Sequence, residues 1–193
     1  MNKKLVAIAL MLWLVVSGIF AAYEVAIPVS VVATLTATKE EFLRHGFTVD
    51  DEKFQATADI DNAFVVPAQF TYGYETNARG SFSFRMVVGD FLHEDSGNPS
   101  VKIASVKIGT TTGVPVPASE DASAYYEILT RTNANTVYTT PAPSGEVDIT
   151  IYPATPTSGS TDHLGATINA GEQIGDALAG DYTSTIEIYI HAS

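Results

Sequence analysis

From Thr183 to Ala192 the chain alternates with a period of two. Ser184, Ile186, Ile188, Ile190 and Ala192 fall on one side, and Thr183, Thr185, Glu187, Tyr189 and His191 on the other. Successive side chains of a strand point to opposite faces, so this pattern predicts a half-buried strand over 181–192. The same period recurs at 26–37, 53–60, 68–75, 81–89, 100–109, 123–130, 136–140 and 146–152, in segments rich in Val, Ile, Thr, Tyr and Phe. Turn-forming runs separate them: NARG at 77–80, SGNP at 96–99, GVPVP at 113–117, PAPSG at 141–145 and PATPTSGST at 153–161. One short helix is predicted at 37–46, ATKEEFLRHG, with Gly46 as its cap. Many short strands without long helical periodicity predict an all-β antiparallel sandwich in one domain.

The first residues set the compartment. MNKK is a short basic stretch, and Leu5 to Phe20 is an apolar run broken by Ser17 and Gly18. That run is shorter than the ~20 residues of a membrane-spanning helix. Small residues follow at Ala21 and Ala22, so residues 1–22 read as a secretory signal peptide. Cleavage there leaves about 170 residues, enough for one core. It also removes Lys3 and Lys4 and shifts the formal charge two units below −12. A surface this acidic repels nucleic acid and anionic lipid, so neither is expected as a partner. The absence of cysteine excludes thiol catalysis, thiolate metal sites and a lipidated anchor.

Catalytic chemistry needs converging polar groups, and the sequence offers few. His45, His93, His163 and His191 are scattered without metal-ligand spacing, and each reads as a lone surface histidine. Asp90, His93, Glu94 and Asp95 in GDFLHEDSGN read as solvated loop groups, and DDE at 50–52 as a solvated turn. DIDNAF at 59–64 begins like a calcium loop but lacks its sixth-position glycine. The aromatic runs FTYGYE (70–75) and AYY (124–126) read as core and cross-strand pairs before a sugar site. No enzyme, metal or cofactor is expected.

The two ends are informative together. In YEVAIPVSVVATLTA, Val25, Ile27, Val29 and Val31 share one face, while Glu24, Ala26, Pro28 and Ser30 share the other. So clean an alternation fixes register. Pro28 has no N–H and belongs at an edge or a bulge. Near the other end, AGDYTSTIEIYIHAS gives a half-buried strand with nothing following to cover it.

These ends resemble fimbrial subunits of the chaperone–usher class. The cysteine-free character is closest to the alpha-class pilins of the colonization factor antigen I type. The resemblance implies an incomplete immunoglobulin-like sandwich, completed when the N-terminal strand of another subunit enters a groove beside the last strand. It implies a signal peptide at 1–22, a donor extension at 23–36 and a sandwich domain at 37–193. Val25, Ile27, Val29 and Val31 become donor residues, and Tyr182, Ile186, Ile188 and Ile190 become acceptor residues. The implied partners are further copies or sister pilins, with a periplasmic chaperone and an outer-membrane usher during assembly. The implied location is a surface fimbria supporting adhesion, reached through the periplasm, with no membrane span in the mature chain. The rival reading is a monomeric secreted β-sandwich that binds carbohydrate or protein and keeps its N-terminal strand in its own sheet.

Overall fold

The computed structural model describes residues 36, 40–61, 63–78, 80–119, 122–132 and 144–192. The segments read as signal peptide, as donor extension up to residue 35 and as the strand at 136–140 lie outside the described residues. The described residues form eleven strands: β1 (Leu43–Val49), β2 (Glu52–Gln55), β3 (Ala68–Thr76), β4 (Phe82–Val88), β5 (Leu92–His93), β6 (Ile103–Ile108), β7 (Thr111–Thr112), β8 (Tyr126–Arg131), β9 (Ser144–Pro153), β10 (Tyr182–Thr183) and β11 (Ile186–Ala192). All pairings are antiparallel: a six-stranded sheet in the order β2-β1-β3-β9-β6-β7, a three-stranded sheet β11-β4-β8, and a short β10-β5 ladder. The fold is all-β. Among the described residues no helix is long and apolar enough to cross a membrane.

Period-two alternation accounts for the core. On β3, Ala68, Phe70, Tyr72 and Tyr74 are buried, and on β4 so are Phe82, Phe84, Met86 and Val88. Ile149 and Ile151 of β9, with Ile103 and Val106 of β6, complete the same apolar cluster. The two larger sheets meet through aromatic rings. Phe84 lies 5.5 Å from Tyr72 and 5.4 Å from Tyr74 between ring centroids, and Phe82 lies 5.4 Å from Tyr74. Tilted and edge-on pairs at such distances contribute beyond the area they bury. β8 packs over the β9 side of the large sheet, which leaves β11 on the β1 side.

Three predicted elements are corrected. Residues 43–46 belong to strand β1, where the sequence predicts the second half of a helix. Leu43, His45 and Phe47 pair with Thr76, Tyr74 and Tyr72 of β3, and this cross-strand packing outweighs the local helix signal. Gly46 is a close-approach residue and no helix cap. Its φ is +156°, and a Cβ there would meet the backbone of Phe54 and Gln55 at 2.5 Å. The strand predicted at 53–60 stops at Gln55, and the one at 181–192 divides at Ser184–Thr185. The break has a cause: the Ser184 hydroxyl donates to the Gly89 carbonyl at 2.6 Å. Between β1 and β2, Asp50 and Asp51 hold φ of 49° and 67°. Two successive positive values make the two-residue hairpin turn whose twist matches its strands.

Candidate functional site

The strand that the sequence leaves uncovered lies at the rim of the three-stranded sheet. β11 pairs with β4 through Ile186↔Val88, Ile188↔Met86, Ile190↔Phe84 and Ala192↔Phe82. Directly opposed residues share a face, so the three isoleucines point inward with buried partners. Met86 and Phe84 are 0% exposed, yet Ile186 and Ile188 are only half-buried and Ile190 is 39% exposed. Inward-facing side chains that remain wet mark an uncovered stretch of core. Across this open side stands the inward face of β1, with Leu43, His45 and Phe47 also half-buried. The His45 ring lies 5.3 Å from that of Phe84, the cross-strand partner of Ile190. β11 and β1 thus flank a slot lined by Ile186, Ile188, Ile190, Leu43, His45 and Phe47.

The backbone of β11 is as open as its side chains. The Gly89 N–H donates to the Thr185 carbonyl at 3.0 Å, so the peptide groups of residue 185 face β4. Peptide direction alternates along a strand exactly as side-chain direction does, and the register is unbroken from Ile186 to Ala192. Glu187, Tyr189 and His191 therefore bond to β4. The N–H and C=O groups of Ile186, Ile188 and Ile190 face the free edge, where no described residue pairs with them.

The other sheet edges are blunted. β2 is broken by a register shift opposite Phe47 and Val49. It also carries Phe54 at φ 63°, with Arg44 stacked 5.0 Å over that ring and Lys53 paired to Glu146. β7 is two residues long, and the flank of β8 is bridged by Val116 to Tyr125. Bulges, charges and short lengths are the usual protection of sheet edges. β11 is seven regular residues with no bulge, no proline and no lysine, and its one acid, Glu187, stands on the outer face.

The remaining predicted residues fall elsewhere. Tyr182 is set apart from the isoleucines. It lies on β10 against β5, with its ring 5.0 Å from Phe64 and 4.8 Å from His93, and its hydroxyl accepts the Leu178 N–H at 3.0 Å. Three histidines read as lone surface groups are held by partners distant in sequence. His93 is buried; its Nδ1 accepts the Asp95 N–H at 2.9 Å and its Nε2 reaches the Ala179 carbonyl at 3.3 Å. His45 Nδ1 shares a hydrogen bond with the Tyr72 hydroxyl at 2.5 Å, and His163 Nδ1 shares one with that of Tyr126 at 2.8 Å. Asp90 is no free loop acid: it bonds to Lys102 at 2.7 Å, while Asp162 accepts the N–H groups of Leu164 and Ala166. Glu94 and Asp95 are exposed, as read.

These contacts are structural clamps with a pH signature. Burial pushes the His163 pKa down, against the smaller opposing pull of Asp162 and Asp90. It also pushes the Tyr126 hydroxyl up to about 12, so that it stays protonated. Burial lowers His45 in the same way. A histidine whose folded pKa is depressed binds its proton more readily in the unfolded chain. Its stability contribution is complete above the ordinary value of ~6.5 and is lost as pH falls through the folded pKa. Unfolding midpoints should therefore drop between about pH 7 and pH 5, by less than about 1.4 kcal/mol per pH unit for His163. His163→Gln should flatten that slope; an unchanged slope in the variant would show that the ring does not stay neutral.

No protein-family model and no curated protein matches the chain.

Proposed function

We propose that this chain is a structural subunit of an extracellular fibre, of the fimbrial chaperone–usher kind, assembled by strand addition at β11. One observation carries the reading. The only long regular edge among the described residues presents, on alternate residues, both wet inward isoleucines and outward-turned peptide groups. A strand with inward apolar residues at every second position satisfies both deficits at once. The sequence carries such an alternating pattern at 23–36, with Val25, Ile27, Val29 and Val31 at every second position. A neighbouring copy supplies it, and the completed unit is an immunoglobulin-like sandwich. Burying four Val/Ile side chains contributes roughly 6–12 kcal/mol, before the ladder bonds and the association cost. The acidic surface keeps unassembled subunits soluble, and a dedicated chaperone and usher would shield the slot during export.

A direct test uses the donor as a reagent. The exported chain without residues 23–36 should remain monomeric and take up one labelled peptide of sequence YEVAIPVSVVATLT per molecule. The intact chain should form fibres visible by electron microscopy. A truncated chain that no such peptide rescues would assign the segment to its own core and favour a monomeric binding module.

A further inference from the structure

One polar side chain stands among the apolar ones that line the slot. Leu43 and Phe47 of β1 and the three isoleucines of β11 carry nothing that titrates, whereas His45 does. Its Nδ1 is engaged by the Tyr72 hydroxyl at 2.5 Å, and its ring lies 5.3 Å from that of Phe84. Its Nε2 has no hydrogen-bond partner among the described residues and is not closed off from solvent. Water in the open slot therefore serves that nitrogen. A strand laid between β1 and β11 displaces the water.

The surroundings of the ring decide what its proton costs once the slot is filled. On β1 itself, Arg44 stands on the opposite face and pairs with Glu75. β3 offers only the hydroxyls of Tyr72 and Tyr74, and burial keeps that of Tyr72 protonated. β4 presents Phe82, Phe84 and Met86 inward, while Arg85 lies on its outer face over the Tyr125 ring. β11 presents its isoleucines and turns Glu187 and His191 outward. On β2, Gln55 stands opposite Phe47, Glu52 lies further along opposite Val49, and Lys53 pairs with Glu146. No described carboxylate faces the imidazole, and burial alone already holds its pKa below the ordinary value. In the open slot an imidazolium keeps its water. Under a docked apolar strand it loses that water and gains no counter-charge.

We infer that His45 makes strand addition proton-linked: the slot accepts an apolar strand while the ring is neutral and rejects it once the ring is charged. The inference rests on the strand-addition reading above and adds the condition under which the slot loads. Linkage is reciprocal, so docking must lower the His45 pKa by as much as protonation weakens docking. The sign follows from the lowered value. Affinity is complete above the open-slot pKa, which lies below ~6.5, and falls as pH drops through it, by at most about tenfold per pH unit.

The test measures uptake of the labelled 23–36 peptide by the exported chain, diluted to monomers, at pH values where circular dichroism shows it folded. Uptake should be constant from about pH 8 to about pH 6.5 and roughly three- to tenfold weaker near pH 5. NMR titration of the His45 ring should give a lower pKa in saturating peptide than without it. His45→Gln can still bond to Tyr72 but carries no titrating proton, and it should take up peptide equally at both ends of the range. That variant separates the slot ring from general acid loosening through His93 and His163. Equal wild-type uptake across the range, a His45 pKa unmoved by peptide, or a pH dependence that persists in His45→Gln overturns the proton link and leaves strand addition intact. Absence of wild-type uptake at every pH overturns strand addition and the link with it.

Discussion

Ile188→Asp should lower the stability of the free subunit by about 3 kcal/mol or more and abolish assembly as well. Ile188 faces inward beside Met86, which is 0% exposed, and it forms the middle of the slot wall. An aspartate there loses the apolar contact and sets a charge against hydrocarbon, with no cation of β4 or β11 on that face. The unfolding midpoint in urea reads the first effect and sedimentation or microscopy the second. The neighbouring Glu187→Gln change is the control, since Glu187 points to the outer face opposite Val87. It should stay within about 0.5 kcal/mol and assemble normally. Similar losses in the two variants would mean that β11 does not face the core as described.

Ile27→Asp should eliminate fibres and leave the monomer's unfolding midpoint within about 0.5 kcal/mol of the parent. The reason is the division of roles that strand addition requires: residue 27 would contribute to a neighbour's core, whereas residue 188 faces its own. A charge at the centre of the donor face must enter an apolar slot or keep the strand out, and the second is cheaper. Such a subunit still has an intact slot. Mixed with wild type, it should accept a donor and terminate growing chains, shortening fibres in proportion to its share. If Ile27→Asp destabilises the isolated monomer as much as Ile188→Asp does, the segment belongs to the monomer's own sheet.

How much of this was legible follows from which interactions are local. The alternation of β3, β4, β9 and β11 survives in the sequence because each strand has one core face and tolerates polar residues on the other. One wall of the slot, Ile186 to Ile190, was therefore readable. Its floor was not. Leu43, His45 and Phe47 alternate too, but Glu40–Glu41 before them, a histidine on the inward face and Gly46 between them imitate a capped helix. The contacts that decide the matter lie with Tyr72 and Tyr74, nearly thirty residues away. The histidine clamps were hidden for the same reason: Tyr126 is 37 positions from His163, and Ala179 is 86 from His93. Side-chain period also says nothing about which neighbour each peptide group faces. That came only from the bond between Gly89 and Thr185.

Amide hydrogen exchange along β11 tests strand addition most directly. The monomeric Ile27→Asp chain should be measured with and without the wild-type 23–36 peptide. Without peptide, the amides of Glu187, Tyr189 and His191 should be protected by β4, while those of Ile186, Ile188 and Ile190 exchange quickly. Peptide should slow the three isoleucine amides and leave the other three unchanged. Isoleucine amides already slow in the free chain, or unaffected by saturating peptide, would contradict an open edge at β11.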